Sequence, residues 1–441
     1  MDALRLLPVG DVTARDHVET VRTALAAAGD DEMLRFLRLL DAFGVDPERV
    51  DGDLARVSAA DGPLERRVAL ARLRHDLEPG RDRILAHLAA PPSELQLVVD
   101  LRAALLTFLE RRPEAAGLAP LDDDLRAFLA ARVDLGLLQL RRLTWSDSAA
   151  LLERLARSEA VHAVRGWFDL KDRLDEDRRV YAFFHPALPG RPVVFTEVAL
   201  TDELPATIRG ILNPDAPRVD AQQARTATFY SISSTERGLS GIPFGNALIK
   251  QAVEVLRKEL PRLRAFATLS PLPGFASWVR ALGERVGTEV REGVATAGWH
   301  RKPIAVTLRE PLLRLAARYL LAAKRGNGTP VDAVERFHLA NGATIERLDW
   351  LADTTARGLE QSFGIMVNYR YGLDRYAANQ LTYAASHAID AASSIRLLAA
   401  ADPTVLEEPV AGVPRRNGFR AALASLVDRA KRLVVRAPAG A

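Results

Sequence analysis

Ser270 in LSPLPG and His338 in FHLANG are of residue types that can move a proton. Ser270 ends a short run of strand-forming residues, Ala265 to Leu269, and Pro271 follows it. That is the carboxyl end of a strand, where ligands of open α/β sheets collect. Its hydroxyl can donate to a carboxylate or carbonyl oxygen and exchange a proton with a base. A serine before proline is also an ordinary turn residue. An unperturbed imidazole titrates near neutrality and, once protonated, can give up its proton, which suits His338 to that task. A hydrogen-bonded structural histidine is the competing reading. The pair does not indicate a Ser-His-Asp hydrolase, because no G-x-S-x-G elbow surrounds Ser270.

A third feature is the loop STERGLSGIPFGN, with Gly238, Gly241 and Gly245. No Gly-Lys-Ser/Thr follows, so it is not a Walker A loop, and it is not a clean GxGxxG fingerprint. The elements around it give it meaning. TATFYSIS, before it, is rich in β-branched and aromatic residues and predicts a strand ending near Ser233. After it, Leu248, Ile249, Val253, Val255 and Leu256 have the spacing of an amphipathic helix. The strand Ala265 to Leu269 comes next. A β-loop-α-β unit of this kind closes right-handed when its strands are parallel. It places the loop at a strand's carboxyl end and a helix's amino end, where free N–H groups and the helix dipole favour an anion. A pyrophosphate held by backbone alone, without a lysine, is what an acyl-CoA site would need. A plain connector is the alternative.

Several longer motifs narrow these options. FYSIS at 229–233, GLSGIPFGNALIK at 238–250, LSPLPGF at 269–275, FHLANGA at 337–343 and NYRYGLD at 368–374 stand in order. With them the sequence resembles the malonyl-CoA decarboxylase family, from about Leu143 to about Ser393 and more loosely before that. The resemblance implies an α+β protein: a helical N-terminal domain, then a catalytic domain of the N-acetyltransferase-like fold with a mixed sheet. It implies conversion of malonyl-CoA to acetyl-CoA and carbon dioxide, with Ser240, Gly241, Ile242, Pro243, Phe244, Gly245 and Asn246 binding the CoA moiety. It also implies that Ser270 and His338 are the catalytic pair, acceptor and donor respectively, and contact the substrate. Asn341 and Asn368 are weaker candidates for orienting the site. Some relatives carry a glutamate at the position of Pro243, and any carboxylate role of that residue cannot transfer. Pro243 has no N–H, so the cradle relies on its neighbours.

That chemistry needs no added cofactor. Loss of carbon dioxide from a malonyl thioester leaves two electrons on the α-carbon, and the thioester carbonyl accepts them as an enolate. The protein has to hold the carboxylate out of the thioester plane, stabilise the oxyanion and deliver a proton. An acyl-CoA-dependent N-acetyltransferase using the same cradle is the alternative enzyme. A noncatalytic helical scaffold is the alternative outside catalysis.

The chain has 441 residues, long enough for two domains. Residues 1–140 read as nearly all helix and are expected to form a helical, self-associating domain, with the catalytic domain over 141–441. His17 to Ala28, Glu32 to Phe43, Leu64 to Leu77, Glu94 to Arg111 and Leu125 to Leu143 are predicted helices, and Ser93 a helix start after Pro91 and Pro92. Strands are predicted at VYAFFHP, PVVFTEVAL and Lys302 to Leu308. Further helices are predicted at Asp147 to Ser158, Thr201 to Leu212, Phe275 to Val286, Glu310 to Lys324, Leu381 to Leu398 and Phe419 to Val435. There is no cysteine, which removes disulfides, thiolate nucleophiles and cysteine-held metals. Lys+Arg (60) and Asp+Glu (57) nearly cancel, so bulk charge gives no case for nucleic acid. No apolar run is long enough for a membrane span. The N-terminus lacks the apolar core of a secretory signal. A cytoplasmic homotetramer that binds malonyl-CoA, without metal or cofactor, is the resulting expectation.

Overall fold

The structure, a computed structural model, describes residues 12–90, 95–242 and 244–400. The expected helix 419–435 and the Pro91–Ser93 start lie outside them. The chain divides into two compact units. The first runs up to Ser270 and takes back Asn368–Leu373; the second holds Pro271–Val367 and continues from Asp374.

Among the described residues the first unit begins with the helices α1 Val12–Ala27, α2 Asp30–Asp41, α3 Pro47–Ala59, α4 Pro63–Asp76, α5 Arg81–Leu88, α6 Leu95–Arg111 and α7 Ala119–Arg132. Their ends follow local chemistry. Asp46 accepts from the Glu48 and Arg49 N–H groups, and Pro47 fills the first helical position. Asp30, Asp31 and Glu32 place acids at the positive end of α2. α6 buries Val98, Leu101, Leu105 and Phe108 at helical spacing and packs on α2, α5 and α7.

A strand was not foreseen at the end of this region. The predicted helix over 125–143 stops at Arg132, and Gln139–Leu143 form β1. Only Leu143 of that strand is buried. Arg141 and Arg142 point outward to Asp147 and Glu259, so no apolar alternation marks the strand. After it come α8 Ala149–Ser158, α9 Trp167–Arg173, β2 Arg178–Phe184, β3 Pro192–Thr201, α10 Ile208–Leu212, β4 Thr226–Ser234, α11 Gly245–Glu259 and β5 Ala265–Thr268. The predicted helix 201–212 is only its last turn, because β3 runs on to Thr201.

In this sheet β1, β2, β3 and β4 are antiparallel neighbours, while β4 and β5 are parallel from Thr226–Ala265 to Phe229–Thr268. The sheet is therefore mixed, as expected of an α+β protein. α8 covers one face through Leu151, Leu152 and Leu155 against Val180, Ala182 and Phe195. α11 covers the other, and its Glu259 reaches the Tyr181 hydroxyl. β4 carries one extra residue: Glu197 pairs with Ser231 but Val198 with Phe229, leaving Tyr230 as a bulge. Bulges re-aim side chains and are common beside active sites.

The second unit contains α12 Phe275–Leu282, α13 Thr288–Ala295, α14 Ile304–Ala322, α15 Ala333–Ala340, a strand at Thr344–Asp349, α16 Ala356–Ser362, α17 Tyr376–Ser386 and α18 Ser393–Ala400. The predicted strand 302–308 is instead the first part of α14, which continues through Pro311. Leu308, Leu312, Leu315, Tyr319 and Leu320 are all buried along it, and that packing outweighs the bond Pro311 cannot make. The single predicted helix 381–398 is two, broken at His387 in a left-handed conformation (φ 54°). Phe275 packs among Trp278, Tyr319 and Phe363.

Candidate active site

The glycine loop leaves β4 at Ser234, makes a tight turn at Arg237–Leu239 and enters α11 at Gly245. Gly241 has a φ of 80°, which a side chain would strain. Gly238 faces the carbonyl of Val99 on α6; a Cβ there would lie 1.9 Å from that oxygen. No side chain caps α11 and no acid occupies its first turn. The first N–H groups of a helix have no partner inside it, so this terminus suits an anion. Side chains of Pro243 and Asn246 lie outside the described residues.

One residue under this loop escaped the sequence reading. Arg102 on α6 is buried and donates through Nη1 to the carbonyls of Gly238 (2.7 Å) and Ser240 (2.8 Å). Its Nε donates to Asp122 at 2.8 Å. A trans peptide turns its N–H opposite to its C=O, so fixing the Ser240 carbonyl aims the Gly241 N–H away from Arg102. Arg237 and Glu110 pair beside it, and Arg154 and Arg191 both reach Glu236 at the loop's start. An arginine at helical spacing reads as solvated surface in sequence; nothing local reveals the carbonyls it meets more than a hundred residues on.

Ser270 is buried where β4 and β5 part. The Leu269 N–H donates to the Phe229 carbonyl at 3.0 Å, the last such bond along the pair, while β4 continues to Ser234. The Ser270 hydroxyl donates to Thr268 Oγ1 at 2.9 Å. Asn368 and Tyr369, from the returning strand, bond the same residue: Asn368 Nδ2 to its carbonyl at 2.8 Å and the Tyr369 N–H to its Oγ1 at 3.2 Å. Asn368 Oδ1 is buried without a protein partner. Behind the bulge, Glu159 accepts from Ser231 and Ser233, while Arg173 bonds Glu197 and Asp169.

His338 belongs to the second unit, in the last turn of α15. Asp332 starts that helix: its Oδ1 accepts from the Val334 and Glu335 N–H groups at 2.9 and 3.0 Å. Its carboxylate also takes the Tyr319 hydroxyl at 3.1 Å and the Gly274 N–H of the LSPLPGF motif. After the helix, the Asn341 and Ala343 N–H groups close on the His338 carbonyl, and Gly342 takes a φ of 77°. Full burial lowers the His338 pKa to about 3, so the imidazole is neutral. One turn earlier, burial holds the Glu335 carboxyl well above its usual range. The cradle and Ser270 belong to the first unit and His338 to the second. Thr268 and Asp332 gave no sequence signal of their own, because a threonine in a strand and an aspartate before a helix are ordinary.

Fold and loop define a class: an α+β protein with a helical amino-terminal part and a mixed sheet whose strand–loop–helix turn offers uncapped amides to an anion. Two family models match in succession, "Malonyl-CoA decarboxylase N-terminal domain" over residues 43–132 and "Malonyl-CoA decarboxylase C-terminal domain" over 136–408. The chain belongs to the malonyl-CoA decarboxylase family. It is similar to the mitochondrial malonyl-CoA decarboxylase of Anser anser anser, 34% identical over 387 residues that cover 80% of this chain and 77% of that protein. It is 33% identical to the Mus musculus protein of the same name, over 82% of this chain and 80% of that one. The crystal structure of malonyl-CoA decarboxylase from Rhodopseudomonas palustris is 37% identical, with a TM-score of 0.82, covering 90% of this chain and 97% of that one. That from Agrobacterium vitis is 34% identical, with a TM-score of 0.81, covering 90% and 98%. Among the described residues no helix is long and apolar enough to cross a membrane.

Proposed function

We propose that this chain decarboxylates malonyl-CoA to acetyl-CoA and carbon dioxide. Family membership across both domains carries the reading, and the uncapped, acid-free start of α11 after Gly241 supports it at the atomic level. In this reading the backbone N–H groups between Ser240 and Asn246 hold CoA phosphate oxygens, Pro243 having no N–H to offer. Ser270 donates to the thioester oxygen as it gains charge. A preorganised donor of that kind lowers a barrier by about 3–4 kcal/mol. The C–C bond to the carboxylate breaks, carbon dioxide leaves, and the electron pair moves into the enolate. His338 then gives its proton to the α-carbon. The neutral imidazole acquires that proton when the substrate carboxylate arrives, since a nearby negative charge favours the cation. Solvent restores it, so one proton is consumed per turnover.

The helical domain over 1–140 is assigned to self-association as a homotetramer and the catalytic domain to 141–441. Sedimentation of the whole chain tests the tetramer; a monomer rejects it. A cytoplasmic location suits a chain without cysteine, and enzyme recovered in another compartment of fractionated cells would contradict it. For the reaction, purified chain is given malonyl-CoA with and without an amine acceptor. Decarboxylation gives acetyl-CoA in both. Acetyl transfer to the amine with little carbon dioxide would favour the acetyltransferase instead.

A further inference from the structure

We propose that Thr268 is a positioning residue whose hydroxyl exchanges hydrogen-bond roles with Ser270 and so releases the Ser270 proton to the developing oxyanion. The inference rests on the role given to Ser270 above. Three bonds motivate it. Thr268 Oγ1 accepts from Ser270 Oγ at 2.9 Å and from the Tyr369 N–H at 3.2 Å, and the Thr268 carbonyl accepts from Asn368 Nδ2 at 2.8 Å. Thr268 is buried and tied at both ends, so its oxygen is a fixed point rather than a rotor on the surface.

A hydroxyl has one proton and two lone pairs, whereas a backbone N–H can only donate. Tyr369 therefore occupies one lone pair of Thr268 permanently. Two arrangements remain for the hydroxyl pair. In the observed one Ser270 donates to Thr268. In the other Thr268 turns its own O–H toward Ser270 and frees the Ser270 proton. An arriving thioester oxygen that accumulates negative charge selects the second. No covalent bond changes and no proton is lost; two O–H groups rotate. Donation from Thr268 also makes Ser270 a stronger donor, as in other hydroxyl chains.

The test is a cycle of kcat and KM for malonyl-CoA in Thr268→Val, Thr268→Ser, Ser270→Ala and Thr268→Val/Ser270→Ala, each checked for its melting temperature. Thr268→Val is expected to lower kcat about 10- to 100-fold, the scale of a small misplacement of a reacting group, with KM little changed. Thr268→Ser should keep most of kcat, and the double variant should be no worse than Ser270→Ala alone. If Thr268→Val does not fold, Thr268→Cys, which keeps the size and only a weak donor, replaces it. Unimpaired kcat in Thr268→Val beside an impaired Ser270→Ala overturns this inference alone. So does a Thr268→Val loss that persists in full on top of Ser270→Ala, or a Thr268→Ser variant as slow as Thr268→Val, since both mark plain structural damage. A fully active Ser270→Ala removes the underlying reading as well.

Discussion

The Tyr319 hydroxyl donates to Asp332 at 3.1 Å, and a Cβ on Gly274 would lie 2.4 Å from that same hydroxyl oxygen. Asp332 also caps α15, the helix that carries His338. One carboxylate thus joins the LSPLPGF motif, the aromatic group around Phe275 and the first turn of the histidine helix.

Removing that carboxylate should loosen His338. Asp332→Ala is expected to cost about 1–2 kcal/mol from the lost cap and more from the stranded Tyr319 hydroxyl. kcat should fall with it. Asp332→Asn keeps an oxygen for the cap and should retain most activity. Urea unfolding and steady-state rates check both, and equal behaviour of Ala and Asn would contradict the capping role.

Arg102 lies in the helical part, yet its Nη1 bonds are to the cradle. Arg102→Met is expected to raise KM for malonyl-CoA about tenfold, roughly 1.4 kcal/mol, with kcat largely kept. Gly238→Ala, which drives a methyl group into the Val99 carbonyl, should do the same. Initial-rate kinetics decide the matter: an unchanged KM in folded Arg102→Met would mean the cradle holds its shape without it.

The buried Arg173–Glu197 pair (3.0 Å) should respond asymmetrically. Arg173 also serves Asp169 and the carbonyls of His162 and Ala163, so Arg173→Met strands several acceptors and should cost about 3–5 kcal/mol. Burial pushes the Glu197 carboxyl up to about 8 against the attraction of Arg173. A raised acid contributes most stability below its unfolded pKa, and loses that contribution as pH rises through about 8. Glu197→Gln should therefore be mild and should flatten the melting temperature between the ordinary carboxyl range and pH 8. A Gln variant with the wild-type slope would refute this.

His338 acts in the opposite window. Its folded pKa is depressed to about 3, so its contribution is present above the unfolded value and is lost as pH falls toward 3. His338→Gln should lose less stability than the parent between about pH 6.5 and that limit. Parallel melting curves for the two proteins across that range would show that the imidazole is not held neutral.

The β-loop-α-β unit around the glycine loop was legible because its signals are local. The strand predicted to end near Ser233 ends at Ser234, the amphipathic helix spans Gly245–Glu259, and the next strand covers Ala265–Thr268. Elements whose form depends on distant partners were not. β1 shows arginines to solvent and buries one leucine, so only its pairing with β2 makes it a strand. The start of α14 has β-branched Ile304 and Val306 and a proline at 311, and burial of its other face overrides them. The same holds for the site. Glycines and a serine before proline mark themselves, whereas Arg102 and Thr268 gain their roles from atoms far along the chain.

The proposed reaction forms an enolate by loss of carbon dioxide and protonates it on carbon. Incubating the purified chain with malonyl-CoA in D2O and weighing the product by mass spectrometry tests it directly. Acetyl-CoA carrying one deuterium on its methyl carbon, equal in amount to the carbon dioxide released and sharply reduced in Ser270→Ala and His338→Ala, is the predicted result. Intact malonyl-CoA, or free malonate and CoA from thioester hydrolysis, would contradict it.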